Sequence, residues 1–264
     1  MTRTPKNEQA LAVPGEGCIE TDSSDTGTAP KPINNIPPAS GSSHPAQREL
    51  HAGDFPEAML ADLARSGIPP DDARKRGLRY VSDEELPKLL GFPARDADGC
   101  PCDAYEIPFY DPATDMAMVC SGGQPYSRVK LLRPAVLEGS KPAKYLSRRQ
   151  AGQHAYIPRA THDYLVNNPD AVVIVTEGEK KSIKGTIEGV HMIGLTGNHG
   201  WNTPNTKQLL PELERYTEHH KTWIVVFDSD GRDNPDFRNS AIGLAEALEE
   251  HGCELWAVFM PDLG

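Results

Sequence analysis

Two apolar runs, each closed by acids, constrain this chain most: Ala171-Val-Val-Ile-Val-Thr-Glu177-Gly-Glu179 and Trp223-Ile-Val-Val-Phe-Asp228-Ser-Asp230. Neither run alternates apolar with polar residues. Each therefore suits a parallel strand covered on both faces, with its acids at the carboxyl end. Open α/β sheets bind their ligands at that end. With a two-residue period, Asp228 and Asp230 point to one side while Ser229 points away. Carboxylates gathered at one edge repel one another, and a hard cation with oxygen ligands, Mg2+ or Mn2+, relieves the repulsion. The arrangement predicts phosphoryl chemistry on nucleic acid or nucleotide. The competing reading of Asp-Ser-Asp-Gly is a polar turn after a strand, and Glu179 with Lys180 also suits the start of a helix.

Around these runs the pattern reads as strand 172–176, helix 179–188, strand 190–195, a glycine-rich loop, helix 205–219, strand 223–227, helix 237–251 and strand 254–260. That order predicts right-handed βαβ crossovers and a mostly parallel sheet flanked by helices, an α/β fold. Upstream, Phe55, Met59, Leu60 and Leu63 recur at helical spacing, Ser66-Gly-Ile-Pro69 closes that helix, and Asp71 opens another. Tyr105 to Asp115 reads as a strand and turn, and Met116 to Cys120 as the returning strand. Residues 1–47 are rich in Pro, Gly, Ser, Thr and Asn without apolar clustering, and we expect a disordered tail there. The expected divisions are a tail over 1–47, a small α+β basic subdomain over 48–165 and the α/β domain over 166–264.

The formal charge of -11 excludes coating of nucleic acid through bulk charge. Between residues 128 and 149, however, Arg128, Lys130, Arg133, Lys141, Lys144, Arg148 and Arg149 face only Glu138 in sequence, with Tyr126 and Tyr145 among or beside them. A basic stretch with interleaved aromatics suits phosphate contact and base stacking; a solvated charged face is the plainer alternative. Five scattered cysteines fit reduced thiols in a cytosolic protein, and Cys100-Pro-Cys102 with Cys120 lacks the paired spacing of a structural zinc site. No apolar run approaches the length of a membrane span, so a cytoplasmic protein is expected.

Weaker signals point elsewhere. Val225-Val-Phe-Asp228-Ser-Asp230 also resembles the nucleophile motif of haloacid-dehalogenase-type phosphatases, but little more than one βα unit remains after it for the further groups those enzymes need. The loop Gly194-Leu-Thr-Gly197-Asn-His-Gly200 has glycines that would let backbone N–H groups approach a phosphate, yet it is neither a dinucleotide fingerprint nor a P-loop. His199 in that loop reads as a bystander.

With Glu177-Gly178, Gly194 to Gly197 and Asp228-Ser-Asp230 in this order on alternating strands, residues 170–264 resemble a Toprim domain, the catalytic fold of bacterial-type primases, topoisomerases and related nucleases. Thr176-Glu-Gly-Glu-Lys-Lys181, Phe227-Asp-Ser-Asp230 and Asn234-Pro235 resemble the Toprim-like domain of plasmid and phage replication proteins. Upstream, Ile107-Pro-Phe-Tyr-Asp111, Arg128-Val-Lys130 and Pro142-Ala-Lys144-Tyr-Leu146 resemble the subdomain that precedes Toprim in those primases. The resemblance implies a metal-dependent nucleotidyltransferase that makes primers on single-stranded DNA from nucleoside triphosphates, with a replicative helicase as a partner. It implies Glu177 as general base or metal-positioning acid, Asp228 and Asp230 as the metal pair, and Arg128, Lys130, Lys144, Lys180 and Lys181 as nucleic-acid or nucleotide contacts. A Toprim nuclease and a non-catalytic DNA-binding accessory are the alternatives. Two features depart from the family pattern: only Asp262 stands near the place of a third acid, and the zinc-binding module that precedes such primases is missing, so a fragment or truncated reading frame is expected.

Overall fold

The structure, a computed structural model, describes residues 55–137, 141–227 and 234–260 of the 264-residue chain. The expected tail and the acids Asp228, Asp230 and Asp262 lie outside the described residues.

Helix α1 (Glu57–Arg65) forms because Phe55, Met59 and Leu63 share a buried stripe; Leu60, 36% exposed, lies off it. Pro70 at the first position and Asp71 and Asp72 in the first turn start α2 (Pro70–Lys75). There follow β1 (Arg79–Val81), α3 (Leu86–Leu90), β2 (Ala104–Pro108), β3 (Ser127–Ala135) and β4 (Ala143–Ser147), whose strands form an antiparallel sheet in the order β1-β2-β3-β4. Strand alternation divides its residues. Ala104, Val129, Leu131 and Leu146 pack under α3 on one face, while Tyr105 and Ile107 pack against α1 on the other.

The expected strand over 116–120 is not formed. That stretch makes only isolated bridges, Tyr110 with Ala117 and Val119 with Pro125. Asp111 holds a tight turn, accepting Ala113 N–H on its side chain and Asp115 N–H on its carbonyl. Met116, Ala117 and Val119 stay exposed and only Met118 and Cys120 turn inward, too short a face to support a ladder.

After α4 (Arg159–Asn167) come β5 (Val173–Glu177), α5 (Glu179–Ile187), β6 (Met192–Leu195), α6 (Pro211–Glu214), β7 (Thr222–Phe227), α7 (Pro235–Glu249) and β8 (Glu254–Phe259). All four strands are parallel, in the order β6-β5-β7-β8, and helices flank the sheet. Val173, Val175, Trp223, Val225 and Phe227 form one face with Leu165, Leu213, Phe237, Leu244 and Leu248 from the helices. No helix among the described residues is long and apolar enough to cross a membrane.

The helix expected over 205–219 shrinks to the single turn of α6. Thr206 bonds back to the Thr203 carbonyl and receives Gln208 N–H, Asn205 adopts φ 64°, and Asn202 bridges to Leu209. Such local side-chain bonds compete with a helix, which starts only where Pro211 takes the first position.

Helix α5 joins the two layers. Its Ser182 hydroxyl donates to the Met192 carbonyl of β6, while Ile183 sits in the cluster built by Met59, Leu63, Tyr105 and Ile107. Its entry turn needs two glycines. Gly178 has φ +92°, and a Cβ on Gly194 would stand 2.9 Å from the Gly178 carbonyl oxygen and 3.2 Å from Glu179 Cα. Gly194→Ala is thus expected to lower stability by about 1–3 kcal/mol, measured by denaturant unfolding, because only backbone can give way.

Candidate functional site

The strand order places a topological switch between β5 and β7: from β5 the chain moves outward to β6, and from β7 it moves outward the other way to β8. Ligands of such sheets bind in the crevice at the carboxyl ends flanking this point. Glu177, half-buried, is the last residue of β5, and β7 runs beside it as far as Phe227. The stretch Asp228 to Asp230, outside the described residues, follows Phe227 in the chain.

Across from this edge stands the β3–β4 pair. Ile107 opposes Arg128, Tyr105 opposes Lys130, and Lys130 in turn opposes Tyr145, so alternation puts Arg128, Lys130 and Tyr145 on the face turned toward α5. The Arg128 guanidinium lies 5.2 Å and the Lys130 ammonium 5.6 Å from the Tyr145 ring centre. Burial, then the charges of Glu179 and Asp62, push the Tyr145 phenol above its ordinary value against the pull of Arg128, with Glu177 adding to the rise. Tyr145 thus stands among the acids and bases of the site. Lys144, exposed, falls by alternation on the Leu146 side of β4, and its charge still reaches Lys130. Lys181 lies half-buried on α5.

Glu177 and Glu179, adjacent across Gly178, separate. Fully buried Glu179 accepts from Arg128 Nη1 at 2.6 Å; its other carboxylate oxygen, also buried, has no hydrogen-bond partner among the described residues. Arg128 is therefore the group that makes burial of this charge tolerable.

A second buried acid went unread in the sequence. Asp62 of α1 lies three residues from Met59, on the buried stripe, and that spacing was the available signal. Its carboxylate accepts from Lys180 at 2.9 Å, Tyr105 at 2.8 Å and Arg65 at 2.8 Å, with Lys130 at 3.7 Å. Burial alone would raise its pKa, but the hydrogen bonds from Lys180 and Tyr105 and the charges of Lys180 and Lys130 hold it at about 2, against an ordinary 3.8. Three of the expected phosphate contacts, Arg128, Lys130 and Lys180, thus each have a carboxylate partner inside the fold.

The loop after β6 is ordered by other contacts. His199 Nε2 and Asn198 Nδ2 each lie 3.1 Å from the Asp236 carboxylate at the start of α7, and Gln153 donates to the His199 carbonyl at 2.6 Å. His199 is therefore an anchor of α7. A Cβ on Gly200 would meet Thr196 N at 2.4 Å, so this glycine serves close backbone packing. Among the described residues the four cysteines are free, and no group of three acids, histidines or cysteines could hold a metal ion.

The family described as a domain of unknown function (DUF3854) matches residues 162–263. No curated protein matches the chain. Among solved structures, a DnaG primase catalytic domain bound to ssDNA is 14% identical with a TM-score of 0.48, the match covering 79% of this chain and 67% of that one. The RNA polymerase domain of Mycobacterium tuberculosis primase DnaG is 13% identical at TM-score 0.48, covering 78% and 69%. A DNA primase domain from Pseudomonas aeruginosa is 18% identical at TM-score 0.48, covering 84% and 67%.

Two outcomes follow from the buried acids. Arg128→Met strands the Glu179 charge and should destabilise by about 3–5 kcal/mol, whereas Arg128→Met with Glu179→Gln should recover much of that loss in a double-mutant cycle read by chemical denaturation. Because the Asp62 pKa is depressed on folding to about 2, its stabilisation is complete above pH 4 and disappears as pH falls from about 4 to 2. In acid titrations, the stability difference between wild type and Asp62→Asn should shrink by roughly 2 kcal/mol across that window.

Proposed function

We propose that this chain is a metal-dependent, primase-like nucleotidyltransferase acting on single-stranded DNA in the replication of a plasmid, phage or other mobile element. The observation that carries the reading is Glu177 at the switch-point edge of a parallel sheet, facing a strand pair that presents Arg128, Lys130 and Tyr145. Acids at the edge suit reacting phosphates; cations beside an aromatic ring suit a nucleic-acid strand. The Toprim resemblance of residues 170–264 supplies the reaction class.

The donor set fits a hard divalent cation. Glu177 offers carboxylate oxygen at the edge where Asp228 and Asp230 follow β7 in sequence, and Mg2+ or Mn2+ takes such oxygen ligands. These three residues would hold the ion, which when bound would offset charge on the transferred phosphoryl group. Glu177 would assist deprotonation of the attacking 3′-hydroxyl. Lys130 and Tyr145 steady a template phosphate and its base, while Arg128 holds Glu179 and with it the first turn of α5. Lys144 and Lys181 add positive charge for the template or the incoming triphosphate, and a helicase, in the same chain or a separate one, would supply the single strand.

The test is incorporation of labelled nucleotide on single-stranded DNA with Mg2+ or Mn2+, with template integrity followed on the same gel. Short products that fall by at least about 100-fold in Glu177→Gln are expected, matching the usual loss of a general base. Template cleavage lost in that variant would establish a nuclease. Binding without turnover, unchanged by Asp228→Asn with Asp230→Asn, would establish an accessory.

A further inference from the structure

Three cations from three elements converge on one carboxylate. Arg65 of α1, Lys180 of α5 and Lys130 of β3 lie 2.8, 2.9 and 3.7 Å from Asp62. One carboxylate balances one of these charges, so two remain in excess. The Lys130 and Lys180 side chains are only 12% and 15% exposed, and water offsets little of that excess. Burial pushes the Lys130 ammonium below its ordinary value, and the pull of Asp62 does not restore it against Lys180, Lys144 and Arg65. Crowded, poorly hydrated positive charge is relieved by an anion. Arg65 is 70% exposed at the outer side of the cluster, and Lys130 lies 5.6 Å from the Tyr145 ring centre.

We propose that Asp62 is the resident counter-ion of a phosphate site formed by Arg65, Lys130 and Lys180, and that a backbone phosphate of single-stranded DNA competes with it for these cations. The choice of ligand rests on the nucleic-acid reading above; the site itself adds α1 and Arg65 to the contact surface. A phosphodiester would take a fork of hydrogen bonds from Arg65 and point contacts from the two ammonium groups. Asp62 keeps the lysines aimed at one place while withholding part of their attraction.

A competitor and a merely structural acid give opposite signs when the charge is removed. The measurement is anisotropy of a labelled single-stranded oligodeoxythymidylate bound to the full chain over a range of salt, without nucleotide or divalent metal. Asp62→Asn is expected to bind about fivefold tighter at low salt, with the slope of log affinity against log salt steeper by about 0.7 for each phosphate gained. Unchanged or weaker binding by a folded Asp62→Asn overturns the proposal. Should that variant fail to fold, Arg65→Gln on the exposed arm decides: a slope flatter by about 0.7 supports the site, and an unchanged slope overturns it. Absence of binding by wild type and variants alike removes the nucleic-acid reading as well. Wild type that extends primers, beside an Asp62→Asn that does not tighten, removes this proposal alone.

Discussion

The first turn of α5 is held by charges that cannot be left unpaired. Glu179 is fully buried against Arg128 of β3, and the next residue, Lys180, meets buried Asp62 of α1. Replacing such pairs with apolar groups is often neutral for stability, whereas removing one partner is costly, so their main consequence is geometric. Consecutive residues of one helix are tied to two elements of the antiparallel sheet layer, while Ser182 and Gly178 tie the same helix to β6. The edge of the parallel sheet and the basic face of the antiparallel one are thereby fixed relative to each other. On the proposed reading, an acid at one and a cation at the other would meet the same substrate.

That fixing explains why two glutamates one residue apart diverge. Gly178 takes a backbone conformation that directs the chain out of β5 and into the helix, and the turn packs on the bare Cα of Gly194. Glu177 therefore ends a strand at a switch point, and Glu179 begins a helix, where the amino-terminal dipole and Arg128 both favour its charge. Reading both as edge acids overlooks the change of backbone direction between them. Arg128 likewise has a carboxylate as its first contact, which ties it to the placement of α5.

Much of the parallel sheet was legible because its signal is local. Ala171 to Val175 and Trp223 to Phe227 are unbroken apolar runs, and a run of that kind has few places to go except a covered strand. The helix over 205–219 was misread because Leu209, Leu210, Leu213 and Tyr216 are all buried, yet they reach the core from a turn, a bridge and one helical turn in succession. The strand over 116–120 was misread because only Met118 and Cys120 turn inward there, and the stretch pairs through isolated bridges rather than a ladder. The charge pairs were illegible for another reason. Asp62 and Tyr105 are 43 residues apart, Arg128 and Glu179 51, and Asp62 and Lys180 118, and no periodicity links residues across such spans. Only the position of Asp62 on a buried helical stripe hinted that it must find cations somewhere.

The electrostatics of the molecule also depend on distance. With a formal charge of -11, its field beyond about one Debye length repels a polyanion at low salt. Close to the seam the balance reverses, since Arg65, Lys130 and Lys180 share a single carboxylate. Attraction therefore begins only at contact range, where screening by salt is least effective for half-buried groups. On the proposed reading, such a surface would gain little from long-range steering and would hold a strand mainly through fitted contacts, an aromatic ring among them.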